Sequence, residues 1–277
     1  MAADLIETFS DYQRGRGFSR NTVRRRRVSL TSFANHIAPL PLERATQELV
    51  EEWVHSFDSP STKHAYLADL RSFYKWATRR QLCDRNPCEQ VESIKVPRTL
   101  PRPVDAAMVP FLVASAGSHR LALIIALAAY AGLRRAEIAA LDYTDVNLSS
   151  VPPTLTVRNG KGGKDRTIPV HPELARLLER RHTGRVVGHL HPDTVGNLAS
   201  EHLHACGVPA SIHQLRHTFA TEAARSGDAY AVQALLGHAS LDTSMAYVSL
   251  VGRDTAPVVA AMYGTPPTRS VTVPPAA

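Results

Sequence analysis

Six side chains carry groups able to handle a negatively charged substrate: Arg134, Lys161, His213, Arg216, His238 and Tyr247. His213 and Arg216 lie three positions apart, so on a helix they project from one face, and His217 is one position further on. Ser211, three residues before Gln214, reads as a capping box that starts a helix just ahead of them. An imidazole and a guanidinium fork at the positive end of a helix dipole favour an anion such as phosphate. A surface His–Arg pair is the plainer alternative. The Tyr247 phenol is a possible nucleophile for a covalent step. With an unperturbed pKa of about 10 it needs a proton acceptor or strongly cationic surroundings. A buried tyrosine with a satisfied hydroxyl explains it equally well. Arg134 follows Gly132-Leu133 at a helix break, and Lys161 lies in the glycine-rich NGKGGKD. Each signal alone is unspecific, and it is their order along the chain that carries information.

Two other clusters invite a different chemistry. His189-x-His191 and His202-x-His204, with Cys206 nearby, fit no standard zinc spacing, so no metal site is expected. Gly160–Gly163 lacks the Lys-Ser/Thr pair of a nucleotide-binding loop.

The elements that must position these groups are mostly helices. HRLALIIALAAYAG from His119 reads as an apolar helix, with Gly132 placed to end it in a left-handed conformation. Strands are expected at Thr154–Arg158 and Thr167–Val170, joined by NGKGGKD as a hairpin. The helix opened by Ser211 is expected to end at Gly227, a short one to end at Gly237, and Tyr247 to sit on the next. The first hundred residues read as four or five short helices. Ser59-Pro60 starts one that carries Leu67, Leu70, Phe73, Tyr74, Trp76 and Ala77 inward and runs until Asn86-Pro87 stops it. Thr46 caps another over Thr46–Phe57. Prolines 97, 101 and 103 make Lys95–Asp105 an extended linker, either a spacer or a basic strap along a phosphate backbone. The fold class is therefore mainly α with a small antiparallel β-sheet.

Charge separates the two halves. The chain has 32 Lys+Arg against 25 Asp+Glu, a net +7. Residues 1–103 hold 17 basic and 12 acidic side chains (+5), and 104–277 hold 15 and 13 (+2). The surplus is densest at Arg20 and at Arg24, Arg25, Arg26 and Arg27, a run that sweeps round a helix as a broad basic collar, or else a solvated face. Lys63, Lys95, Arg98 and Arg102 extend the candidate nucleic-acid contacts. No apolar run approaches the roughly 20 residues of a membrane span. The amino terminus has no signal-peptide pattern, and three cysteines suit a reducing, cytoplasmic compartment.

Taken in order, Arg134, Lys161, His213-x-x-Arg216, His238 and Tyr247 resemble the tyrosine recombinase (phage integrase) family, and so does the wording AGLRRAEIAAL, GKGGKDRTIPV, HQLRHTFAT and LLGHASLDTSMAY. The first half resembles that family's helical, SAM-like core-binding domain. The resemblance implies a site-specific DNA recombinase working without metal or ATP. In it Tyr247 attacks a DNA phosphodiester to give a 3′-phosphotyrosyl intermediate and a free 5′-hydroxyl. Arg134 and Arg216 grip the non-bridging oxygens, and Lys161 protonates the leaving 5′-oxygen. His213 is a candidate acid/base for Tyr247, His238 hydrogen-bonds the phosphate, and Glu137 orients Arg134. Implied partners are double-stranded DNA attachment or core sites, three further copies of the chain on synapsed DNA, and a directionality factor.

The expected organisation is a core-binding domain at 1–93, a linker at 94–103, a catalytic domain at 104–265 and a tail without fixed structure at 266–277. An apolar helix at Val258–Met262 is expected to pack on a neighbouring subunit or on its own domain. The core-binding pattern starts almost at Met1, so an arm-binding module is expected to be absent. Phage or mobile-element integration is the first expectation. Xer-type dimer resolution, a non-catalytic DNA-binding regulator and a type IB topoisomerase are the alternatives.

Overall fold

The structure is a computed structural model that describes residues 2–97, 102–158, 165–180, 183–225, 228–237 and 241–251, with only the backbone of 242 and 249–251. It divides into two compact units, Met1–Thr99 and Leu100–Ala277. Among the described residues no helix is long and apolar enough to cross a membrane.

The first unit contains α1 (Ala2–Gly15), α2 (Arg20–His36), α3 (Gln47–His55) and α4 (Pro60–Arg79), with one 3₁₀ turn at Leu42–Arg44. Side-chain oxygens of Ser19, Thr46 and Ser59 cap the last three, as the serine and threonine signals require. The core is aromatic: Phe9, Phe33, Trp53, Phe73, Tyr74 and Trp76 are all buried. The Tyr74 hydroxyl donates to the Leu42 carbonyl (3.0 Å), which satisfies its one polar group. α4 ends at Arg79, earlier than the Asn86-Pro87 stop expected from sequence. Gln81 adopts φ 57°, and the Arg80 and Leu82 amides turn back to the Trp76 and Ala77 carbonyls, which closes the helix before the proline is reached.

The second unit is built around α6 (His119–Tyr130), whose residues Leu123–Ala128 are buried on every side. Around it stand α5 (Val109–Ala114), α7 (Arg135–Ala140), α8 (Pro172–Leu178), α9 (Pro192–Ala205) and α10 (Ile212–Ala224). The antiparallel sheet has three strands in the order β1 (Val146–Asn147), β2 (Thr154–Val157), β3 (Arg166–Pro169), where the sequence announced only two. The two-residue β1 is too short to show a pattern of its own and exists through pairing with Leu155 and Thr154. Across β2 and β3, Leu155 faces Ile168 and Val157 faces Arg166. The expected NGKGGKD turn spans 159–165, of which 159–164 lie outside the described residues. α10 ends at Ala224, three residues before Gly227. A smaller apolar cluster of Ala220, Ala224, Val232, Leu236, Tyr247 and Val248 docks α11 (Ala229–Leu236) and α12 (Leu241–Val251) onto α10. The expected segment at 258–262 and the tail at 266–277 lie outside the described residues.

Candidate active site

The site is organised by the carboxyl end of α11. Gly237 ends that helix with φ 61°, leaving the last carbonyls without helical partners. Three arginines from three elements take them. Arg166 Nε of β3 donates to the Leu235 carbonyl (2.9 Å), Arg216 Nη2 of α10 to Leu236 (2.7 Å), and Arg134 Nη2 to Gly237 (3.5 Å). The negative end of the helix dipole favours cations here. Arg216, 3% exposed, also donates through Nη1 to the carbonyl of Gly132, the residue that turns the chain after α6 at φ 62°. Burial and the charge of Arg134 lower its pKa to about 9, so it stays cationic at neutral pH.

Glu137 supplies the one carboxylate seen in this cluster among the described residues. Its side chain is 8% exposed. Oε1 accepts from Arg134 Nη1 (2.8 Å) and Arg166 Nη1 (2.9 Å). Oε2 accepts from the Arg134 backbone N–H (2.8 Å) and Arg166 Nη2 (2.7 Å). Arg216 Nη1 stands 3.8 Å from Oε2. Burial alone would raise the Glu137 pKa, but these donors outweigh it and hold the carboxyl down to about 2. Arg134, as N-cap of α7, thus has both its backbone and its fork fixed by the residue three positions on.

On the α12 side the Tyr247 hydroxyl is hydrogen-bonded to His217 Nδ1 at 2.5 Å. The His217 ring lies edge-on to His213, with centroids 4.4 Å apart. Burial, helped by His213 and Arg216, brings the His217 pKa down to about 4. Partial desolvation and the charges of Arg216 and Arg134 lower that of His213. Burial raises the Tyr247 pKa against the opposing pull of the same two arginines. At neutral pH the arrangement is therefore a protonated phenol beside neutral imidazoles, with two guanidinium groups close enough to act on it.

Of the six candidate side chains, Arg134, His213, Arg216 and Tyr247 come together here. Lys161 and His238 lie outside the described residues. Glu137 orients Arg134, and two residues join that sequence reasoning had given no role. Arg166 is one; its signal was an arginine sharing the inward strand face with Ile168. His217 is the other, four positions after His213 and so on the same helical face. Two of the other histidines serve the fold: His202 Nε2 bonds the Leu112 carbonyl (2.8 Å), and His191 Nδ1 caps α9 through the Asp193 amide (3.3 Å).

Residues 105–251 match the phage integrase family, and residues 6–81 match the phage integrase N-terminal SAM-like domain. The chain belongs to the phage integrase family of tyrosine recombinases. This recombinase is 30% identical over 263 residues to tyrosine recombinase XerA of Pyrococcus horikoshii, covering 90% of each chain. It is 29% identical to a tyrosine recombinase of Thermosipho africanus, covering 90% of this chain and 96% of that one. In fold it is similar to lambda integrase (75–356), solved as a dimer bound to a COC′ core site, at TM-score 0.72, 18% identity and 91% and 96% coverage. It is also similar to XerH bound to a palindromic difH substrate, at TM-score 0.69, 17% identity and 94% and 84% coverage.

The basic residues of the recombinase's first unit divide in two. Arg25 Nη2 bonds the buried Asp69 carboxylate (2.7 Å), Arg26 Nε stands 3.4 Å from it, and the Ser29 hydroxyl donates to its other oxygen (3.0 Å). Arg26 also lies over the Phe18 ring, 4.9 Å from the centroid. Arg27 reaches Glu7 at 3.4 Å. The expected collar is therefore narrower than four arginines, because α4 turns Arg26 inward and holds Arg25. Arg20 and Arg24 are exposed and form no ion pair among the described residues. Lys63 is half-buried in the first turn of α4, Lys95 and Arg102 are exposed, and Arg98 lies outside the described residues.

Proposed function

We propose that this chain is a site-specific recombinase that cuts and rejoins DNA strands through Tyr247 and a Holliday junction, in the integration or excision of a phage or mobile element. The observation that carries the reading is the meeting of the Tyr247 hydroxyl, the imidazole hydrogen-bonded to it and the charges of Arg134 and Arg216. The arginines bind the non-bridging oxygens of a phosphodiester and neutralise the charge that grows at phosphorus. Two of the five N–H donors of Arg216 hold carbonyls and fix its plane, leaving others for phosphate. Tyr247 forms the O–P bond as the bond to the 5′-oxygen breaks, and its proton passes to the imidazole cluster of His217 and His213. Lys161 and His238 complete the set, with Lys161 returning a proton to the 5′-oxygen. The protein grips the duplex through Arg20 and Arg24 of the module at 1–93 and Lys95, Arg98 and Arg102 along the linker at 94–103. The domain at 104–265 performs the chemistry, and four copies assemble on two synapsed sites.

The Xer names of relatives such as the Pyrococcus horikoshii protein favour a second reading, the resolution of chromosome or plasmid dimers. One experiment addresses both. The wild-type chain is incubated with sheared genomic DNA of the organism that encodes it, detergent-resistant protein–DNA adducts are recovered, and their ends are sequenced. The expected result is one recurrent sequence joined to Tyr247, and none with Tyr247→Phe. Ends at the junctions of an inserted element support integration, and a single chromosomal site apart from any such element supports dimer resolution. Adducts with Tyr247→Phe would overturn the assignment of the nucleophile.

A further inference from the structure

Arg166 opens β3, five positions after Lys161 in the sequence, and all three nitrogens of its guanidinium are engaged. Its two terminal nitrogens pair with the two oxygens of Glu137 at 2.9 and 2.7 Å, and its Nε holds the Leu235 carbonyl at 2.9 Å. The side chain is 8% exposed, and a Cβ on Gly237 would stand 3.2 Å from its Cδ and Nη1. It is therefore poorly placed to meet a DNA phosphate itself. What it does meet is the carboxylate that fixes both the backbone and the fork of Arg134. We propose that Arg166 is a positioning residue for strand cleavage: it holds Glu137, and through it Arg134, in register with the end of α11 and the start of β3. The assignment rests on the recombinase reading above.

The geometry explains why arginine is required. Only a planar fork satisfies two carboxylate oxygens in parallel while a third donor, pointing away from that pair, takes a carbonyl. Lysine reaches one acceptor well. Without Arg166, Glu137 keeps the Arg134 bonds but loses two of the four donors on its oxygens, and the nearest replacement is Arg216 Nη1, 3.8 Å away. A carboxylate this buried moves toward that donor and draws Arg216 off the Gly132 carbonyl. Both phosphate-binding arginines are then displaced by the loss of a residue that touches no phosphate.

The test compares Arg166→Met, Arg166→Lys, Glu137→Gln and the Arg166→Met/Glu137→Gln double variant in single turnovers. The substrate is a nicked duplex carrying the sequence recovered from wild-type adducts, at saturating concentration. Arg166→Met is expected to bind DNA within about threefold of wild type, with the same salt slope, while adduct formation slows about 10–100-fold. Arg166→Lys recovers part of that rate. Glu137→Gln falls in the same range, and the double variant is no slower than the slower single, since both act through one connection. Three results would overturn the proposal: an unchanged rate, losses that multiply in the double variant, or weaker binding with a shallower salt slope, which would make Arg166 a DNA contact. Should Arg166→Met not fold, Arg166→Lys carries the same comparison against Glu137→Gln. A wild-type chain that forms no adduct overturns the recombinase reading and this proposal with it. Adducts that form equally in wild type and variants overturn this proposal alone.

Discussion

At the scale of single residues, two of the depressed groups of the site set how stability responds to acid. His217 has a folded pKa of about 4 against an ordinary value of about 6.5. Below pH 6.5 the unfolded chain takes up a proton that the folded chain refuses until pH 4, so stability falls as pH drops across that window. Glu137 adds a lower window. Its carboxyl stays ionised in the fold down to about 2, while the unfolded chain protonates it near 4.5, so its contribution of about 3 kcal/mol is lost between those values. Urea unfolding at pH 7, 5.5 and 4.5 should therefore show a falling midpoint, and His217→Gln should flatten the fall. An equal slope in both proteins would show that His217 takes up its proton in the fold as readily as in the unfolded chain. His217 also marks where sequence reasoning stops. The chain offers two histidines on one helical face, and which of them meets Tyr247 is decided by how α12 docks on α10. Spacing within α10 carries no information about that docking.

At the scale of elements, the site depends on two places where a helix ends in a left-handed glycine. A Cβ on Gly132 would stand 2.4 Å from Phe219 Cδ1 and 3.0 Å from Leu236 Cδ2. Its φ of 62° adds about 1–2 kcal/mol for any L-residue, and forced repacking adds about 1–3 kcal/mol more. Gly132→Ala is thus expected to lower the unfolding midpoint clearly. Gly117→Ala, with open space around its Cβ position, should stay within about 0.5 kcal/mol of wild type. Equal midpoints for the two variants would show that the turn after α6 adapts. Both glycines were legible as helix terminators, as were the Ser59, Thr46 and Ser211 caps, because these signals are local. The end of α4 was not. Gln81 adopts a conformation its residue type disfavours, and only the burial of Cys83 in the core of the first unit explains a turn at that point. β1 was equally invisible, since two residues make a strand only through the partner they pair with.

At the scale of the whole molecule, charge and chemistry occupy different units. The excess of +5 in residues 1–103 is the ground for proposing the first as the half that grips DNA, and fewer of its arginines are free for that than the run suggests. Asp69, 44 positions beyond Arg25, is what separates the arginines that face solvent from those that hold the fold. Arg20→Ala/Arg24→Ala should reduce the slope of log K against log salt by about 1.8 for DNA binding, as two lost phosphate contacts would. Arg26→Ala should mainly lower the melting temperature of the chain. A slope unchanged in the first variant would assign that face to solvent. The carboxyl end of α11 has a further consequence, one of inheritance. Three of the groups that hold the arginines there are peptide carbonyls of residues 235, 236 and 237, and no codon change can remove a carbonyl. The grip therefore does not depend on the identity of the side chains at 235 and 236, which answer instead to the apolar packing around them, provided the helix still stops at the same residue. Glu137, Arg166 and the stopping glycine are points at which a single mutation can break the arrangement.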